Sequence, residues 1–405
     1  MVEYWVWLQQ VLGYGSSTIQ SVLREYKSAY NFYQAPFTEK VKKIKLTKSQ
    51  VERLNKIPRK TVYGILKECK DSGITIITPE STLYPTRLLG IPNPPSVLYA
   101  KGNLFNLDDE LVIAMVGPRK PSEYGVNKTF EFSKTLSRGG CVILSGGALG
   151  IDTAAHTGAL SENGKTVLVL GHGINFDYLK ENKNLRREIL KDGFIVTEYP
   201  PSHKASRSTF PQRNRIMSGL SVGVAVMEAP EKSGALITAN LAAEQGKDVF
   251  VMPGSPDNKC YIGSNKLLRD GAITLLEPLN IFEEYLDIYP HKINLHAAYN
   301  IVDNTSFEDY ISSYEILADT PFVDVSEYEK PEKNKLSAKK KKEADVSKLS
   351  KEAQLIYDFV ENEFFSDEIV TNLNLDIKTV LAALTELEIF GIVAAIPGGR
   401  YKLVR

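Results

Sequence analysis

From Leu111 onward the sequence repeats one pattern: an apolar run of five or six residues bounded by glycine or proline, then an amphipathic segment. The runs are LVIAMVG, CVILSGG, TVLVLG, FIVTEYP, VGVAVME, DVFVMPG and AITLLEP. Between them lie helix-like stretches such as SEYGVNKTFEFSKTLSRG, IDTAAHTGALSENG and ALITANLAAEQGK. A strand that is apolar on both faces needs cover on both, and alternation with helices supplies it. The pattern therefore predicts an extended, doubly wound and mostly parallel sheet over about residues 111–280. The proline-punctuated stretch before it, GITIITPESTLYPTRLLGIPNPPSVLYAKGNL, reads as two short strands and a connector, so the whole domain is expected over 71–280.

Length adds further domains, because 405 residues exceed what one hydrophobic core supports. Residues 1–70 are fairly basic and apolar at three- and four-residue spacing, a small helical domain whose Gly13-Tyr14-Gly15 turn either touches phosphates or serves packing and docking. Residues 281–350 read as an acidic, loosely structured connector followed by a charged linker around KKKK. Residues 351–405 outline three helices and a hairpin turning at Gly398-Gly399, which is a winged-helix pattern. Its candidate recognition helix, IKTVLAALTELEIF, carries one lysine against two glutamates, poor equipment for a major groove.

Several function classes drop out. The 49 basic and 49 acidic residues cancel, so net charge names no partner. Cys69, Cys141 and Cys260 are scattered and odd in number, which fits a reducing cytosol better than a disulfide framework. The five histidines show no HExxH spacing, so no metal site is expected. No apolar run approaches the ~20 residues of a membrane span, and the start lacks a basic leader. No GxGxxG follows a strand and no GxxxxGK[ST] occurs, so no nicotinamide or ATP cofactor is expected.

What remains is a set of unusual loops. In an open parallel sheet ligands bind at the carboxyl ends of the strands, and every odd loop of this chain falls there. The first offers Gly117, Arg119 and Lys120, and the second Ser145, Gly146 and Gly147. GHGINFDY follows the third strand; the loop after the fourth supplies Lys204, Arg207, Phe210, Arg213, Asn214 and Arg215. The fifth begins a helix at Ser233-Gly234, and the sixth adds Gly263, Asn265 and Lys266. Asp152 can complement a helix dipole and His156 reads as packed. Residues 111–280 carry 20 basic against 16 acidic side chains, a surplus of four in a chain that is neutral overall. Glycine turns and helix N-termini suit phosphate, and a ring among cations suits the bases of a single strand.

The same residues resemble a known family. VGPRKPSEYG, SGGALGIDTAAHTGAL, FPQRNRIMSGLS, SGALITANLAAEQGKDVFVMPG and GSNKLLRDGA, in this order and with YPTRLLGIPNPPSVLYAKG before them, are similar to the DNA-processing protein A (DprA/Smf) family over about residues 74–280. The flanks resemble its sterile-alpha-motif-like and winged-helix domains. The resemblance implies an α/β, extended Rossmann-like DNA-binding domain and a recombination mediator without turnover or cofactor. Such a protein dimerises, binds single-stranded DNA, and brings the recombinase RecA onto DNA coated by single-strand binding protein, as in natural transformation. It implies phosphate binding at Arg119, a pocket floor at Ser145, Gly146 and Gly147, and a cation and stacking ring at Arg207 and Phe210. Arg213, Asn214 and Arg215 fall on its RNR signature, Ser233 and Gly234 on its serine-glycine loop. Pro118 and Leu149 depart from it, standing where the family usually has serine and arginine; Pro118 also removes an N–H donor.

Two rivals remain open. A nucleotide-processing hydrolase of the phosphoribohydrolase type would need Glu228 or Glu244 as its catalytic acid, although neither lies in a PGGxGTxxE loop. A winged-helix regulator with an appended ligand sensor would instead prefer duplex of defined sequence.

Overall fold

The computed structural model describes residues 1–299 and, further on, 349–359, 363–365, 369–370, 373, 375–390, 392–396 and 400–403. They belong to two bodies, Met1–Lys330 and Pro331–Arg405.

In the first body, nine strands form one sheet: β1 (Thr75–Ile77), β2 (Leu98–Gly102), β3 (Val112–Val116), β4 (Val142–Ser145), β5 (Thr166–Leu170), β6 (Phe194–Thr197), β7 (Gly223–Val226), β8 (Asp248–Val251) and β9 (Ile273–Thr274). Their order is β1-β2-β6-β5-β4-β3-β7-β8-β9. Strands β3 to β9 run parallel, while β2 pairs antiparallel with both β6 and β1. The chain thus winds outward from β3 through β6 and returns on the other side of β3 with β7. That reversal places a topological switch point between β3 and β7, with the carboxyl ends of seven strands on one edge.

Alternate residues of β3 go to opposite faces. Val112, Ala114 and Val116 join a core shared with α10 (Thr209–Leu220) and α11 (Gly234–Glu244). Ile113 and Met115 join one shared with α7 (Glu123–Arg138) and α8 (Ile151–Ser161). Helix α9 (Lys183–Asp192) covers Leu168 and Leu170 on the α8 side, and α12 (Ile262–Arg269) follows the loop after β8.

Six helices precede the sheet: α1 (Val2–Leu12), α2 (Thr18–Tyr26), α3 (Ala29–Gln34), α4 (Phe37–Lys43), α5 (Lys48–Lys56) and α6 (Val62–Asp71). Their core, built on Trp5, Leu8, Val22 and Phe32, closes over Val97 and Tyr99 of the sheet domain. Gln9 pins the junction: its Nε2 donates to the carbonyls of Val97 (3.3 Å) and Glu198 (3.0 Å), and its Oε1 accepts from the Tyr99 hydroxyl (3.1 Å).

The expectation of a loosely structured segment from 281 onward is corrected for residues 281–299. Helices α13 (Leu279–Tyr285) and α14 (Leu295–Tyr299) pack Ile281, Phe282, Tyr285 and Ala298 into the core beside α7. The Phe282 ring occupies space that a side chain at Gly139 would fill, since a Cβ there would come within 2.3 Å of it. The rest of the acidic connector and the lysine-rich linker, 300–348, lie outside the described residues.

The second body has helices Lys351–Phe359 and Ile377–Ile389 and a three-stranded antiparallel sheet ordered β10 (Glu363–Phe365), β12 (Arg400–Leu403), β11 (Val393–Ile396). Ala353, Ile356, Val380, Leu384, Leu387 and Val393 make its core. Its order is that of a helical unit with a β-wing; the Gly398-Gly399 turn lies outside the described residues.

Candidate nucleic-acid interface

The glycines at the carboxyl edge are used first by the protein itself. At Gly146 a Cβ would come within 2.5 Å of the Arg213 Nη1. That guanidinium lies in the gap, donating to the Gly146 carbonyl (2.9 Å) and to the Val169 carbonyl. At Gly117 a Cβ would collide with Ile151 at 2.4 Å, and at Gly147, whose φ is +67°, with Leu168 at 2.3 Å. The turn is glycine-rich because strand, helix and arginine meet there with no room between them.

Arg213 is buried, and burial pulls its pKa down, opposed by the nearby Asp152 carboxylate. Burial pushes the Asp152 pKa up, opposed by Arg213. The Asp152 carboxylate accepts the Ala148 N–H at 3.1 Å, so the N-terminus of α8 already holds an anion of its own. Ser145 is fully buried and its hydroxyl donates to the Met115 carbonyl at 2.7 Å, which withdraws it from the pocket floor expected for it. His156 is buried with Nδ1 2.7 Å from the Thr166 hydroxyl.

Above this floor several of the expected binding groups converge. The Arg119 guanidinium lies 5.4 Å from the Phe210 ring centre. Phe210 packs over Gly171, where a Cβ would meet the ring at 2.8 Å. Tyr178 adds a second ring, 5.5 Å from Phe210 and tilted by 39°, with His172 5.2 Å beyond it. Arg119, Gly146, Gly147, Tyr178, Phe210 and Arg213 line one cavity. Arg119 is exposed, as are Lys120 next to it and Lys204 and Arg207 on the loop that leads to Phe210, and Phe210 is half-buried. Asn214 accepts from the Arg213 Nε at 3.2 Å and so helps aim that side chain. Arg186, another cavity residue, donates to the carbonyls of Tyr178 and Leu179 and holds their loop.

Across the switch point the later loops form a separate cluster on the same edge. Ser233 caps α11, its hydroxyl accepting from the Ala235 N–H, and Gly234 beside it is exposed with open space where a side chain would be. Gly263 lets α12 approach the loop after β7, since a Cβ there would lie 2.5 Å from the Pro230 carbonyl. Asn265 donates to the Gly254 carbonyl at 3.0 Å, and Lys266 pairs with Glu231 at 2.6 Å, both partners of that pair being exposed. Gly263 and Asn265 therefore shape loops in this structure, a placement that their sequence positions did not disclose.

Arg215 departs furthest from its expected place. It is buried and ion-paired with Glu198, at the far end of the RNR run from the cavity side. Glu198 also accepts the Gly15 N–H at 3.1 Å, and Gln212 donates to the Tyr14 carbonyl at 3.1 Å. The Gly13-Tyr14-Gly15 turn thus docks on α10; a Cβ at Gly15 would press on Gln212 and Arg215 at 3.0 and 3.2 Å.

A family model described as DNA recombination-mediator protein A matches residues 75–286, and one described as DprA winged helix domain matches 340–399. A Synechocystis protein named Smf is 32% identical over 98% of both chains. The chain belongs to the DprA/Smf family.

A DprA of Bacillus subtilis is 39% identical over 58% of this chain and 78% of its own. The X-ray structure of DprA from Streptococcus pneumoniae superposes with a TM-score of 0.63 at 31% identity, covering 70% of this chain and 98% of that one. The α/β sheet, helical N-terminus and winged-helix unit expected from the sequence are therefore those of DprA/Smf. Among the described residues no helix is long and apolar enough to cross a membrane, and no cluster of side chains could hold a metal ion. All three cysteines are buried and free.

Sequence reasoning did not single out Tyr178, His172 or Arg186. For His172 and Tyr178 the signal was present in GHGINFDY, which follows a strand at the carboxyl edge. It was weak because a ring becomes part of a platform only when another ring is brought beside it.

Proposed function

We propose that this chain is a non-catalytic single-stranded-DNA-binding recombination mediator, working as a homodimer in the cytosol to load RecA onto DNA coated by single-strand binding protein, as in natural transformation. Arg119 and Arg207 neutralise phosphates, with Lys120, Lys204 and Lys266 adding charge nearby and Gly234 leaving the start of α11 accessible. Phe210, with Tyr178 beside it, stacks a base. Arg213 positions the floor through Gly146, and Arg215 fixes α10. The observation that carries this reading is the Arg119 guanidinium 5.4 Å from a half-exposed Phe210 above a glycine floor: a cation and a stacking surface facing one cavity.

The hydrolase alternative is disfavoured on its two candidate acids. Glu228 is fully buried and already accepts from the Ser122 hydroxyl (2.6 Å) and N–H (3.1 Å). Glu244 ends α11, at the opposite edge of the sheet from the cavity. The deciding experiment is a competition between single- and double-stranded oligonucleotides for the full chain across a salt series. Preference for single strands with a steep salt dependence supports the reading. Preference for a defined duplex, or release of free base from nucleoside monophosphates, overturns it.

A further inference from the structure

Helix α6 carries a surface that the cavity leaves unused. Residues 1–70 hold 13 basic against five acidic side chains, in a chain whose total balance is zero. On α6 and the turn before it, Lys60, Tyr63, Lys67 and Lys70 follow one another at intervals of three and four, which brings them to one face of the helix. All four are exposed, Tyr63 to 50%. The Arg59 guanidinium lies 5.9 Å from the Tyr63 ring centre and 5.3 Å from that of Tyr4, so the exposed ring is backed by a further cation. Among the described residues no carboxylate pairs with Lys60, Lys67 or Lys70.

The same helix touches the loops that build the cavity. Glu68 accepts from Asn175 Nδ2 at 2.9 Å and from the Ser202 hydroxyl. Ser72, just past the helix, accepts from the same Asn175 amide at 2.9 Å. Asn175 is three residues before Tyr178, and Ser202 opens the loop that leads to Arg207 and Phe210. The row of lysines therefore begins beside the cavity rim and leads away from it, over roughly 15 Å at the rise of a helix.

We propose that this face of α6 is a second contact for the same single-stranded DNA. Lys60, Lys67 and Lys70 neutralise phosphates beyond the cavity, and Tyr63, with Arg59 behind it, stacks a base. The proposal rests on the single-strand reading above. An exposed ring between unpaired cations, continuous with a site of the same composition, matches a sugar-phosphate chain with bases; an acidic protein would use the charges and leave the ring idle.

The test uses the full chain, fluorescence anisotropy, and two oligothymidylates, one short enough to fill only the cavity and one several times longer. For the variant Lys60→Ala/Lys67→Ala/Lys70→Ala, the slope of log K against log salt on the long oligonucleotide should fall by about 2, at ~0.7 for each phosphate that is no longer neutralised. Binding of the short one should be unchanged. Tyr63→Ala should weaken the long complex about ten-fold without changing its slope. An unaltered slope on the long oligonucleotide, or an equal change on both lengths, overturns the proposal. So does polyglutamate of equal charge displacing the long strand as well as oligothymidylate does, which would point to an acidic protein. In these first cases Arg119→Ala still weakens both complexes and the cavity reading stands. Failure of the unmodified chain to bind either oligonucleotide removes both readings together.

Discussion

The Arg213 guanidinium occupies the space that a side chain at Gly146 would need, with Nη1 2.5 Å from the missing Cβ position. This arginine is buried and anchored to two carbonyls, so moving it aside breaks both bonds in a buried setting. Gly146→Ala should therefore overpack the floor and cost roughly 1–3 kcal/mol in urea denaturation. Single-strand affinity should fall with it. A variant that kept both stability and affinity would mean that Arg213 can leave its slot freely.

Arg119 and Phe210 touch each other but should fail differently. On the proposed roles Arg119→Ala removes a phosphate contact, so the salt slope should fall by about 0.7. Phe210→Ala removes a stacking surface, which lowers affinity by roughly 1–3 kcal/mol and leaves the slope unchanged. Anisotropy titrations at several salt concentrations separate the two, and identical behaviour would break the assignment of roles.

Glu198 is buried with Arg215 as its ion-pair partner and the Gly15 N–H as a second donor. Glu198→Ala should cost roughly 3–5 kcal/mol, because it strands a buried guanidinium. The double change Glu198→Leu/Arg215→Met should recover much of that loss, since both charges then leave together. Chemical denaturation of the three variants gives the coupling directly.

Acid should destabilise the first body through His156. Burial, with the Arg213 charge adding to it, depresses the His156 pKa from 6.5 to about 3. Folding keeps the ring neutral, so its contribution is fully present above pH 6.5 and is lost as pH falls from there toward 3. The unfolded chain takes up the proton first over that interval. His156→Gln should flatten the fall in stability between pH 6.5 and 4, measured by denaturant midpoints. A slope equal to that of the unmodified chain would remove His156 as the cause.

Much of the architecture was legible because strand and helix patterning is local. Val112 to Val116 is apolar at every position, which only a covered parallel strand requires, and the order of such runs already implied which loops share an edge. Residues 281–299 were misread as loose because their acidic, aperiodic sequence hides three aromatic and aliphatic anchors, Ile281, Phe282 and Tyr285. The burial of Phe282 uses the gap at Gly139, more than a hundred residues earlier.

The sequence by itself determined the sheet, its crowded carboxyl edge and the family. The tertiary structure alone decided which cations of that edge face outward. Arg207 and Arg213 look alike as letters, yet one is exposed and the other is held inside by Gly146 and Val169. Arg215 is two residues further on and is claimed by Glu198. A guanidinium turns inward only where distant carbonyls or a carboxylate replace its water, and those partners are assembled by folding, not by neighbourhood in the chain.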